Sequence, residues 1–215
     1  MKIRIRNRQT GMSLVELMIA VTLSIFVIGA LVALFINSKE NYRLNENMSR
    51  LQESARFAAS FLAHDLRMSD YRACVTDDRR SDALAGAEGT GLNSSDSVTI
   101  LWKTNACGAA DATRTTIYSV ANNPAGNPAL FRSVDGVSEE LVEGIQSLQL
   151  QFGEDTDNDH IPNYYVSASS VTDMEQAISV RVTLVAQTLE SNLSANGGRI
   201  TRSFTETVTL RNRLP

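Results

Sequence analysis

Apolar residues crowd the start of the chain and thin into stripes further on. Residues 12–36 form an apolar run broken by a single charge, Glu16. Twenty-five helical residues at about 1.5 Å each reach about 37 Å, enough to cross a hydrocarbon layer of about 30 Å with some tilt. Residues 37–72 follow a different pattern. Leu44, Met48, Leu51, Ala55, Ala58 and Leu62 recur at steps of three and four, which places them on one stripe of a helix. Arg43, Glu46, Arg50, Glu53 and Arg56 take the other faces, at spacings that allow weak pairing. Asn37 to Tyr71 contains neither proline nor glycine, and the first proline is Pro124. One helix is therefore expected from about Met12 to about Tyr71, membrane-spanning in its first half and amphipathic in its second. A coiled-coil stalk is the alternative for the second half, although its stripe covers only about three heptads.

Beyond the helix the period shortens. Residues 77–93 are rich in Asp, Arg, Gly, Ala and Ser and read as an exposed loop. Strands are expected at 97–102, 114–120, 130–134, 145–152, 177–186 and 204–210. Leu148, Leu150 and Phe152 share one face, as do Ile178, Val180, Val182 and Leu184. In the last strand Phe204, Val208 and Leu210 alternate, with Glu206 as the one acidic exception. One-sided alternation predicts an antiparallel sheet with one covered face, and the amphipathic half of the helix is its natural cover. The expected class is α+β: a long N-terminal helix packed on an antiparallel β-sheet, with residues 73–215 as a β-rich globular domain. Turns are expected at 121–128 and 191–198.

Composition adds a compartment. The 215 residues suffice to bury a core, and the net charge of −4 with no basic patch in the body argues against nucleic acid as a partner. The cations Lys2, Arg4, Arg6 and Arg8 precede the apolar run, and residues 1–11 hold no acid. Loss of that stretch would move the net charge from −4 to −8, since four positive charges leave. The positive flank keeps the N-terminus in the cytoplasm and sends the rest to the periplasm. Cys74 and Cys107 are the two cysteines, and neither sits in a CxxC. In an exported chain such a pair predicts one disulfide, adding roughly 3–4 kcal/mol in the chain-entropy picture; two free cytosolic thiols are the alternative.

Glu16 narrows the reading of the apolar run. A carboxylate inside an apolar helix costs roughly 2.5–3.5 kcal/mol on insertion scales and calls for a cationic partner. A secretory signal peptide would be shorter and would end in a small-residue cleavage site. A plain membrane anchor accounts for the length and the basic flank but not for Glu16. Further on, Asp155, Asp157 and Asp159 place three carboxylates at alternate positions, a spacing that suits a hard cation such as calcium, with the Ile161 carbonyl as a further ligand. The EF-hand pattern fails at His160, where a glycine belongs, and at Val166, where a glutamate belongs. A solvated acidic turn is the alternative. Neither His64 nor His160 falls into a catalytic constellation, and the chain has no GxSxG and no phosphate-cradling glycine loop. The sequence does not read as an enzyme.

The residues Gly11-Met12-Ser13-Leu14-Val15-Glu16-Leu17-Met18-Ile19-Ala20 resemble the class III signal of type IV prepilins. The shared features are a basic leader, a glycine, an apolar residue, a glutamate at the fifth mature position and a long apolar continuation. The resemblance implies that a membrane prepilin peptidase cuts between Gly11 and Met12 and removes residues 1–11. Met12 then becomes the N-terminus, commonly methylated in this family, where phenylalanine is more usual. It also implies that Glu16 neutralises the new ammonium, in its own chain or in a neighbour, and so fixes register during assembly. Three stretches, 38–44, 49–58 and 62–74, look like the PilW type of minor pilin, in a resemblance strong over roughly 9–75 and diffuse beyond. This implies a pilin-like fold, a single-pass inner-membrane stage with a periplasmic C-terminal domain, and a later place in a pilus on the cell surface. The implied role is to initiate and assemble the pilus in its tip complex, in support of twitching motility and adhesion. The implied partners are other minor pilins, the major pilin and a tip adhesin. Acidic loops with the DxDxD spacing occur in such chains. A minor pseudopilin of a type II secretion system shares the same leader, helix and sheet logic and is the closest alternative.

Overall fold

The computed structural model describes residues 11–74, 80–105, 107, 112–193 and 197–214. The basic leader residues Lys2, Arg4, Arg6 and Arg8 lie outside that set, as do 77–79 of the first expected loop and 194–196 of the last.

One helix, α1, runs Leu14–Arg67. The chain divides into two compact units between Glu46 and Asn47, and α1 contributes to each. In the first unit every side chain from Gly11 to Arg43 is exposed, apolar ones included; Phe26 is 79 % exposed. The hydroxyls of Thr22 and Ser24 do not need water. They donate back to the carbonyls of Ile19 at 2.9 Å and Ala20 at 2.7 Å, as hydroxyls in membrane helices do.

In the second unit the expected stripe is buried where it matters: Leu51, Ala55, Ala58 and Leu62 are all in the core. The helix stops at Arg67, four residues short of Tyr71. The N–H groups of Met68 and Ser69 tighten to the carbonyls of Asp65 and Leu66, and Asp70 adopts a positive φ of 58° that a helix cannot continue. The Asn212 amide then caps the end, donating to the Arg67 carbonyl at 2.8 Å and the Ser69 carbonyl at 3.2 Å.

Two antiparallel sheets follow where one was expected. The first holds β1 (Leu84–Ala87), β2 (Ser97–Lys103), β3 (Thr113–Asn122), β4 (Pro128–Val134) and β5 (Val137–Glu143), in that order. The second holds β6 (Ile145–Glu154), β7 (Tyr164–Val166), β8 (Ala177–Gln187) and β9 (Thr201–Thr209), in the order β7-β6-β8-β9. A single core joins α1 to both sheets, through Ile100 and Tyr118 of the first and Leu148, Leu150, Val180 and Leu184 of the second. The α+β class holds, with the helix covering two sheets.

The six expected strands are present. Three others were not foreseen, and each has a reason. The stretch read as a loop over 77–93 contains β1, whose Leu84 is fully buried behind small neighbours. Gly86 permits a close approach there: a Cβ on it would stand 2.6 Å from the Phe152 ring of β6. The edge strand β5 is exposed along most of its length, so it has no apolar period to find. The third, β7, has only three residues. It covers β6 only at Phe152–Glu154. The rest of that edge is closed by the 93–96 turn. Asp96 accepts the Leu150 N–H at 2.7 Å and donates its own N–H to the Leu148 carbonyl at 2.8 Å, while the Asn93 amide reaches the Gln146 carbonyl at 2.9 Å.

Candidate functional site

The N-terminal determinant is built from the first turn of α1. The Leu17 N–H bonds to the Ser13 carbonyl at 3.1 Å, so helical bonding begins at Ser13 and Glu16 sits in the first turn. Ser13 and Glu16 have the spacing of a capping box, yet neither side chain bonds to the other's backbone. What acts on Glu16 locally is the helix dipole, which favours an acid here by about 0.3–1 kcal/mol in water. Among the described residues no cation pairs with it. Gly11 and Met12 precede the helix and are exposed, and among the described residues nothing lies within 4 Å of where a Gly11 Cβ would stand. The Gly11–Met12 peptide thus lies outside the helix. Hydrolysis there would create an ammonium at Met12, one turn from the unpaired Glu16 carboxylate.

A second acid on the same helix has the opposite surroundings. Asp65 is only 4 % exposed. Its Oδ2 accepts from the Tyr118 hydroxyl at 2.7 Å and from Arg132 Nε at 2.8 Å, and Arg132 Nη2 also lies at 2.8 Å. Arg132 Nε reaches the Tyr118 oxygen at 3.1 Å, which closes a triangle among α1, β3 and β4. Oδ1 faces His64 Nδ1 at 3.1 Å. Burial and then the Asp65 carboxylate push the Tyr118 hydroxyl far above its ordinary pKa, with Arg132 opposing. Burial works against the Arg132 charge, but the Asp65 bond and charge prevail and raise its pKa. The sequence reading did not single out Asp65. The signal was present: the stripe's steps of four and three, continued from Leu62, land on this residue.

Cys74 and Cys107 form the expected disulfide, with their Cα atoms 5.0 Å apart. It ties the segment after α1 to the connection between β2 and β3. Nearby, the Lys103 N–H donates to the Tyr71 carbonyl at 2.8 Å and the Asp70 N–H to the Leu101 carbonyl at 3.1 Å, so the same segment is also bonded to β2.

The structure brings Asp155, Asp157 and Asp159 together, with one carboxylate oxygen from each lying within 4.8 Å of the others. Three oxygens are half or less of the six to eight that calcium takes. The loop also bonds to itself. Asp155 accepts the N–H groups of His160 at 2.9 Å and Asp159 at 3.2 Å, and Asp159 accepts that of Ile161 at 2.8 Å. Loss of surrounding water pushes the Asp155 pKa up, but the backbone donors His160, Asn158 and Asp159 outweigh it and lower the pKa. His160, the departure from the EF-hand pattern, adopts the φ of 68° that a glycine would supply. Both readings of the loop meet in this geometry: carboxylates close enough to share one cation, and a turn that holds itself without one.

Comparison with known proteins adds one finding. A family model described as Type IV Pilus-assembly protein W matches residues 117–197. That stretch runs from within β3 past the end of β8 and includes the acidic loop. It excludes the helix and the leader, so it is separate from the residues that carry the prepilin resemblance. The match falls where that resemblance was diffuse, and it supports a family concerned with type IV pilus assembly. The comparison with curated proteins gave no match.

Proposed function

We propose that this chain is a minor type IV pilin, a structural subunit that helps initiate and assemble the pilus within its tip complex. The peptidase removes residues 1–11 by cutting between Gly11 and Met12. The apolar half of α1 is held in the inner membrane, with the globular unit in the periplasm, until it enters the filament. There Glu16 pairs with an N-terminal ammonium. In a low-dielectric bundle, an opposite charge within a few Å offsets much of the desolvation of both groups. Motility and adhesion follow from the filament that forms.

The observation that carries this reading is Glu16 itself: an acid on an exposed apolar helix, without a cation among the described residues, one turn past the Gly11–Met12 peptide. The family match over residues 117–197 is independent support and favours the pilus over a secretion pseudopilin. The test is a Gly11 substitution that blocks processing. Surface pili should disappear or fall sharply. Normal piliation with an uncut leader would make the helix a simple anchor.

A further inference from the structure

The two long sheet edges of the globular unit are finished differently. On β5 the edge is guarded. Glu139, Glu140 and Glu143 line it, and its register with β4 shifts between Leu130 and Phe131, leaving Leu141 as an extra residue. Charge and bulges are how edges are kept from pairing with other chains. The free edge of β6 is closed by the 93–96 turn. The β9 edge has neither a bulge nor a covering turn among the described residues, and its two charges, Arg202 and Glu206, are of opposite sign. It is nine residues long, contains no Lys, Pro or Gly, and pairs with β8 without a register shift.

The parity of that pairing fixes which backbone groups are free. Leu210 N–H donates to the Ile178 carbonyl at 2.8 Å and Thr188 N–H to the Ile200 carbonyl at 2.9 Å. Antiparallel bonds recur every second residue. Arg202, Phe204, Glu206 and Val208 therefore bond to β8, and the N–H and C=O groups of Ser203, Thr205 and Thr207 point outward. Among the described residues no other strand lies beyond β9.

A groove of about 560 Å³ opens between this strand and α1. Small residues make it: Ala55, Ala59 and Ala63 on the helix leave room above Leu184 and Val208. Its charges are unbalanced, with Arg56, Arg67 and Arg202 against Glu206 alone. Arg67 lies 3.8 Å from Glu206, which leaves Arg56 and Arg202 without a partner among the described residues.

We infer that β9 is a docking edge for an extended, acidic segment of another protein, which adds as a fifth strand to the second sheet. Its backbone bonds to Ser203, Thr205 and Thr207. Its alternate side chains fall over the groove, apolar ones on the alanine floor and acidic ones against Arg56 and Arg202. Strand addition of this kind takes affinity from main-chain bonds and selectivity from the side-chain row. The inference stands on sheet geometry and not on the pilus reading, so either can fail alone.

Residue-resolved amide hydrogen exchange on the full chain in detergent tests it. The probe is a synthetic nine-residue peptide alternating valine with glutamate or threonine; its lysine counterpart is the control. Alone, the Ser203, Thr205 and Thr207 amides should exchange at least tenfold faster than those of Phe204 and Glu206. The acidic peptide should slow them at least tenfold, and the lysine peptide should not. Thr207→Pro removes one outward donor and leaves the β8 bonds intact, so it should weaken peptide binding at least tenfold. Should that variant unfold, Arg56→Glu combined with Arg202→Glu decides alone, by reversing the preference between peptides. No protection by the acidic peptide, or equal protection by both, overturns the inference. So does protection that grows with protein concentration without peptide, since a second copy would then occupy the edge.

Discussion

Glu16 and Asp65 sit on one helix and teach opposite lessons. Asp65 has its partners within the chain: a tyrosine from β3 and an arginine from β4 converge on one carboxylate oxygen. Glu16 is exposed among apolar neighbours and has no cation among the described residues. An acid whose hydrogen bonds close inside the fold serves folding. An acid on an apolar surface is costly in lipid, and only a charge from elsewhere can offset that cost. The same contrast holds for the apolar residues around each acid. Leu51 and Leu62 are buried in the core, whereas the apolar residues near Glu16 are exposed among the described residues.

The contrast breaks most visibly at Asp65. Asp65→Ala leaves Arg132 and Tyr118 half-buried or buried without their acceptor, and should cost about 3–5 kcal/mol in a denaturant or thermal melt. A loss below 1 kcal/mol would mean the triangle is ornamental. Replacing Cys74 and Cys107 by serine should cost about 2–4 kcal/mol, read as a lower melting temperature that matches reduction of the wild type. Tyr118→Phe removes one bond and leaves the ion pair, so about 1 kcal/mol is expected at neutral pH. It should also alter the alkaline limb. The folded pKa of Tyr118 is raised, so its contribution is complete below the unfolded value of about 10. It is lost as pH rises beyond that towards the folded value, because the unfolded chain ionises first. The wild type should lose stability over that range, and the phenylalanine variant should lose less. Glu16→Ala should have the smallest effect on melting, within about 0.5 kcal/mol, the usual range for surface changes. Its effect should appear in assembly, as reduced copurification with other pilins. Wild-type copurification would end the pairing role of Glu16.

Much of this was legible from period alone. The run over 12–36 and the stripe through Leu62 are strong signals because each is set by one physical demand, an apolar surround or one buried face. The strands β6 and β8 were legible for the same reason. The edge strand β5 was not, because Ser138, Glu139 and Glu140 answer to solvent and carry no alternation. The second sheet was not legible either, since pairing partners are set by contacts distant in sequence, such as Asp96 with Leu150. Asp65 was hidden by its polarity: on an apolar stripe it reads as a break until Tyr118 and Arg132 are seen to meet it. The three aspartates were legible as a cluster, but the bonds from His160 and Asp159 that hold the turn depend on backbone angles that spacing does not carry.

The account depends most on what happens at Gly11, and the mass of the mature protein reports it directly. Protein purified from cells that possess the processing peptidase should begin at Met12, having lost residues 1–11, with or without an added methyl group on the new amine. A mass that retains the leader in those cells would contradict the account.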